Sequence, residues 1–309
     1  MAVNVAGSAP GVVTQQDTSG AQRTKARAEG VLRYVRRNPT LLLGILLLLS
    51  LILFSAIGAL LYDTARARPL SVVPSLTPSA TYPFGSDNQG RDLFAVIILG
   101  VPLTMRVGLT AGIIGVGIGT VLAFVSAYYG GALDVLIRGV VDVGLTVPGL
   151  LVLVIIAVMV KGGLSVDQMA LIIASLAWLW PTRTIRAQVL TMRGLGYVHV
   201  ARLSGMSGPA IIFKEMLPNL LPYLGASLVS STAAAVLASV GLEALGLGPL
   251  ESPTIGMTIY WVIYNSALLH GMWWWFTPPL VVVIILFLGL FSLSAGLDEV
   301  ANPRLRQSA

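Results

Sequence analysis

The 309-residue chain is 56% hydrophobic and only 10% charged, against roughly 25% charged residues in soluble domains, which places it in the membrane class before any motif is read. Its net charge is +6; in a polytopic chain such an excess sets topology rather than marking a nucleic-acid partner, and none is expected. With no cysteine and only His199 and His270 as histidines, disulfides, thiolate metal sites and cysteine nucleophiles are excluded, and no metal or other cofactor is expected.

Residues 1–38 read as a disordered, basic cytoplasmic tail: no apolar period is visible, and Arg23, Lys25, Arg27, Arg33, Arg36 and Arg37 accumulate before the first span. Residues 39–62 hold that span, Thr40–Leu61, nearly all Leu and Ile. At roughly 1.5 Å per residue it covers the ~30 Å hydrocarbon core. It is longer than a signal-peptide core, so an uncleaved anchor is expected despite the small residues Ser55 to Ala59. Residues 63–98 form an ordered external segment with Pro69, Pro74, Pro78 and Pro83. Within it Asp87, Arg91 and Asp92, beside Gly85 and Gly90, read as a turn capped by its own side chains.

Residues 99–296 are the expected core domain. Its spans are about Val101–Tyr128, Gly139–Val160, Gln168–Ile185, Asn219–Leu242 and Met272–Ala295, followed by a cytoplasmic tail over 297–309. The second span is rich in glycine (Gly108, Gly112, Gly115, Gly117, Gly119), a pattern that favours close helix packing in lipid. The fold class is thus all-α with six transmembrane helices. With both termini inside, the inner segments carry the six basic tail residues, Arg138, Arg183, Arg186, Arg193, Arg202, Lys214, Arg304 and Arg306; the outer ones carry only Arg66, Arg68, Arg91 and Lys161. That bias predicts an N-in, C-in topology. Trp273, Trp274 and Trp275 read as an interfacial aromatic belt.

Between the fourth and fifth spans lies a polar, helix-compatible loop over 187–218. Two short helical runs are predicted, about Val198–Met206 and Pro209–Met216, with Ser207 and Gly208 as the turn. Ala201 and Gly205 are four apart and share a face, so another surface can approach the backbone there. The loop reads as a docking helix, although a basic loop that merely obeys the topology rule has the same composition. In the spans, Arg106, Asp142 and Glu243 are costly enough to face protein or water, and they are the candidate path or gate residues. Arg106 is expected to snorkel to the outer interface. Asp142 is expected to pair with Arg138 one turn earlier.

Four stretches carry a family resemblance. Tyr82–Asp92, YPFGSDNQGRD, resembles an HPLGTDxxGRD signature; Tyr128–Pro148 matches YYGG, then D, RxxD and a proline; Tyr197–Pro218 resembles the EAA loop; Leu245–Gly248, LGLG, with the ending Asn302-Pro303-Arg304-Leu305-Arg306, resembles LSFLGLG and DPRLR. In shared order they resemble the C-type inner-membrane permeases of ABC importers of the dipeptide, oligopeptide and nickel type. The resemblance implies a permease fold with a cytoplasmic coupling helix formed by His199, Val200, Ala201, Arg202, Gly205, Met206, Leu217 and Pro218. It also implies a second, B-type permease, two ATP-binding subunits beneath the pair and an extracytoplasmic substrate-binding lipoprotein, all in the bacterial inner membrane, with peptides or a related small substrate as cargo. The sequence departs from the pattern where His199 replaces the acidic residue of EAA, and where Ser239 stands for a glutamate while Glu243 stands for a serine.

No G-x-x-x-x-G-K-[ST] is present, so nothing cradles nucleotide phosphates; the chain is expected to be no enzyme, with ATP bound by partner subunits. The competing class is an ion-coupled secondary transporter acting alone. It calls for inverted repeats and paired midplane carboxylates, and neither is visible.

Overall fold

The computed structural model describes Val35 and residues 38–160 and 163–301. The expected basic tail, Lys161 and the ending from Asn302 lie outside the described residues, apart from Val35 and Asn38. Among the described residues the chain is helical, without strands. Its main helices are α1 (Pro39–Leu61), α2 (Leu93–Phe124), α3 (Gly131–Thr146), α4 (Gly149–Met159), α5 (Val166–Ala177), α6 (Leu179–Arg193), α7 (Gly196–Leu203), α8 (Gly208–Ile211), α9 (Leu217–Ala244), α10 (Ile255–Tyr264) and α11 (Trp273–Ala301). Wider π turns continue α2 over Val125–Tyr129 and join α8 to α9 over Ile212–Met216.

Among the described residues four stretches can, by length and composition, cross a membrane: Pro39–Leu61, Leu93–Tyr129, Gly208–Ala244 and Trp273–Glu299. The third expected span is not one straight helix. α3 and α4 meet at 86°, and only as a bent pair do they make a fifth crossing. Pro148 is the cause: it pushes the preceding Val147 out of the helical region, to φ −79° and ψ 132°. The fourth expected span is likewise divided at Trp178. Pro181 in the first turn of α6 has no N–H to continue the ladder from α5.

α2 is the structural axis, with half of its apolar stretch buried against 22% for α1. Its glycines explain the closeness. A methyl added at Gly112 would lie 2.6 Å from Thr232 Oγ1 of α9, one at Gly115 2.7 Å from the Ala177 carbonyl of α5, and one at Gly119 2.8 Å from Pro181 Cβ of α6. Gly117 departs from this stripe and faces open space. α1 leans on α11 by the same device, Gly296 approaching Leu41 and Gly289 approaching Leu48.

The segment between α1 and α2 is closed by its own side chains. Asp87 Oδ1 accepts from the Gln89 and Arg91 N–H groups, both at 2.9 Å, and Oδ2 from Arg91 Nε at 2.6 Å. Ser86 Oγ donates to the Val73 carbonyl and accepts from the Leu76 N–H. Asp92 caps α2 and accepts the Tyr62 hydroxyl at 2.6 Å. Burial and the Asp92 carboxylate push the Tyr62 phenol up to about 12, so it stays a donor at neutral pH.

Two expectations about the end of the bundle that holds the segment before α2 are corrected. Trp275 is fully buried with Leu93, Val262 and Ala267, and Trp274 packs on Gly85; only Trp273 has the exposure of a belt residue. A helix that the hydropathy reading missed, α10, fills the space between α9 and α11. Arg91 lies 5.7 Å from the centre of its Trp261 ring.

Candidate functional site

The loop between α6 and α9 folds as a braced elbow. α7 is shorter than the predicted run because it stops in a Schellman turn. Gly205 takes φ +78°, its N–H donates to the Arg202 carbonyl (3.1 Å), and the Met206 N–H donates to the Ala201 carbonyl (3.2 Å). The left-handed conformation is what requires glycine there. The expected shared face of Ala201 and Gly205 is corrected accordingly. Ala201 points inward, buried with Val198 against Ile185, Ile211, Ile212 and Met216, whereas nothing lies near Gly205.

What the elbow presents outward is larger and apolar. Val200 is 63% exposed, Leu203 88% and Phe213 66%, with His199, Arg202 and Lys214 exposed among them. Leu203 and Phe213 were missed by motif reasoning; their signal is an apolar residue on the otherwise polar side of an amphipathic stretch. Met206 and Leu217 pack from the edge onto the inner cluster, and Pro218 is exposed at the start of α9.

The elbow rests on a fixed base. Arg186 of α6 reaches Asp134 of α3 with two bonds of 2.7 Å and Ser126 Oγ with one of 3.0 Å. Arg193 Nη1 donates to the Ala127 carbonyl at the end of α2. These arginines tie α2, α3 and α6 together.

Between the α3–α4 corner, α5, α6 and α9 lies a cavity of about 1180 Å³. Its walls are mainly apolar, with Thr184, Ser227, Ser230, Ser231 and Asp298 as polar groups. None of the three charges singled out in the sequence lines it. Arg106 does not snorkel alone but pairs with Asp167 in the first turn of α5 at 2.8 Å, both side chains exposed. Asp142 makes no ion pair with Arg138 among the described residues; it borders a smaller cavity of about 210 Å³ shared with Arg138, Arg183 and Arg186. Glu243 is wholly buried and bonded to α9 and the start of α10. The polar lining residues escaped the sequence reading because single serines in an apolar helix have no distinctive pattern.

The multi-pass bundle, the braced elbow and the cavity beside α9 fit a membrane transport subunit. Residues 115–307 match the family described as "Binding-protein-dependent transport system inner membrane component", and the chain belongs to that family. It is similar to the dipeptide transport system permease protein DppC of Bacillus subtilis strain 168, with 29% identity over 89% of this chain and 85% of that protein. It is also similar to a putative peptide transport system permease protein of Brucella abortus biovar 1, with 31% identity over 70% of this chain and 72% of that protein. The oligopeptide transport system permease protein OppC of Mycobacterium tuberculosis H37Rv shares 28% identity over 58% of this chain and 62% of its own length. The chain is therefore an ABC importer permease and not itself an enzyme. As in its family generally, ATPase and substrate-binding proteins are its kinds of partner.

Proposed function

We propose that the chain is the C-type half of a peptide importer of the bacterial inner membrane. It pairs with a B-type permease above two ATP-binding subunits and receives di- or oligopeptides from an extracytoplasmic lipoprotein. The observation that carries this reading is the outward apolar cap of Val200, Leu203 and Phe213 on an elbow that buries Val198, Ala201, Ile211, Ile212 and Met216 on its other face. On a segment of basic and polar sequence, such a patch fits a protein partner better than water. The bent α3–α4 pair and the α5–α6 pair supply the third and fourth crossings, and the basic residues favour both termini inside.

The elbow acts as a lever. ATP-driven closure of the partner ATPases displaces α7; because Val198 and Ala201 pack on Ile185, Phe124 and Met216, the displacement passes to α2, α6 and α9. α6 and α9 also wall the large cavity, so the same movement reshapes it. Its volume exceeds the roughly 300–1,000 Å³ of drug-sized pockets, and its few hydroxyls suit peptide backbone groups without selecting side chains.

The test is co-purification after expression with the partner subunits. Leu203→Asp and Phe213→Asp are expected to insert and pair with the second permease normally but to lose the ATPases. Retention of the ATPases and of ATP-dependent uptake would reject the docking role. Uptake by this chain alone in ATP-free liposomes under a proton or sodium gradient would support the ion-coupled alternative.

A further inference from the structure

α9 ends in a buried cluster that the lever does not use. Glu243 has no exposed surface and no Lys or Arg within ion-pair distance among the described residues. Its Oε1 accepts from Ser239 Oγ (2.7 Å); its Oε2 accepts from Thr254 Oγ1 (2.6 Å) and from the Met257 N–H (3.0 Å). Thr254 is the N-cap of α10, and the Met257 N–H, a first-turn donor without an intrahelical partner, is shared between Thr254 Oγ1 (3.3 Å) and Glu243. The carboxylate thus sits on the positive end of α10. Space is made for it by glycine: a methyl at Gly248 would lie 2.6 Å from Glu243 Cγ and one at Gly256 2.8 Å from its Cβ.

The far side of α10 holds the outer surface. Ile255 N–H donates to Thr104 Oγ1 of α2, Trp261 lies beside Arg91, and Asn265 bonds Asn88. Besides His199, Ser239 and Glu243 are the positions at which the sequence departs from the pattern it resembles, each carrying the residue type expected at the other. They stand one turn apart and bond each other, so the departure exchanges the members of a pair and keeps the pair.

We propose that Ser239 and Glu243 form a transposable hydroxyl–carboxylate clamp that fixes the N-terminus of α10 to the end of α9, so that α10 and the outer segment packed on it move with α9 as one body during transport. Glu243 is a positioning residue; it touches neither the cavity nor the elbow. The clamp rests on the transport reading only for its role in the cycle.

The assembled transporter in proteoliposomes, cysteine-free apart from Met257→Cys, tests this with a soluble maleimide. Position 257 is buried and is expected to label slowly. Glu243→Leu keeps the bulk and removes both acceptor oxygens, and labelling should rise at least about tenfold, with substrate moved per ATP hydrolysed falling by a similar factor. Glu243→Ser should do the same, and Ser239→Glu combined with Glu243→Ser should return both readings to within about threefold of the parent. Parental labelling in Glu243→Leu, or no recovery in the double exchange, overturns the clamp. If Glu243→Ser fails to assemble, assembly of the double exchange supports the proposal and its failure overturns it. A working clamp in a chain without ATP-dependent uptake would fault the transport reading instead.

Discussion

The segment before α2 and the elbow before α9 are both short, polar connections, and they satisfy themselves in opposite ways. In the first, Asp87 and Arg91 turn inward and meet each other and the local backbone; both are almost fully buried. In the second, the backbone is satisfied by a Schellman turn and Val198 and Ala201 are buried, but Leu203 and Phe213 are left outside. Apolar side chains stand in the open in both, Leu70 and Val73 in the first and Leu203 and Phe213 in the second; the contrast is that a buried ion pair holds the first together and a packed apolar face holds the second.

The widest test of this contrast is Asp87→Ala. It leaves Arg91 buried without its partner, a loss on the order of 3–5 kcal/mol, and strips two backbone donors. Folded yield and thermal stability in detergent should fall sharply, while Leu203→Asp should leave both unchanged. Equal destabilisation by the two variants would erase the distinction. A smaller effect is expected from Gly205→Ala. Holding alanine at φ +78° costs about 1–2 kcal/mol, enough to loosen the end of α7 and weaken ATPase binding several-fold without losing insertion; unchanged binding would show that the Schellman stop is dispensable. The smallest is Arg106→Ala. Its pair with Asp167 is exposed on both sides, so the stability change should stay below about 1 kcal/mol. A larger loss would place that pair against a neighbouring subunit.

The apolar lengths of α1, α2, α9 and α11, the glycine stripe of α2 and the position of the elbow were all readable in the sequence, because hydropathy and small-residue spacing report burial directly. Directions were not. Pro148 marks a break in the chain, but only packing turns that break into an 86° corner. Trp275 looks like Trp273 in composition and differs only in the face it occupies on α11. α10 is ten residues between turn-formers, too short to announce itself as a span. Gly205 was legible as a necessary glycine for the wrong reason: small size suggested an approaching neighbour, whereas the chain needed a left-handed turn. Of the candidate charges, Arg106 found a partner sixty-one residues away, and no local pattern encodes such a pairing.

The five-residue π turn at Ile212–Met216 has a consequence for how the lever is aimed. A π turn carries one residue more than an α turn, and each residue of an α-helix advances the side-chain direction by roughly 100°. Phe213 and Lys214 face out while Ile212 and Met216 face in. The elbow's length and its azimuth are therefore set by separate features, the glycine stop and the widened turn. Removing one residue at 212–216 is expected to turn the docking residues by roughly 100° relative to α9.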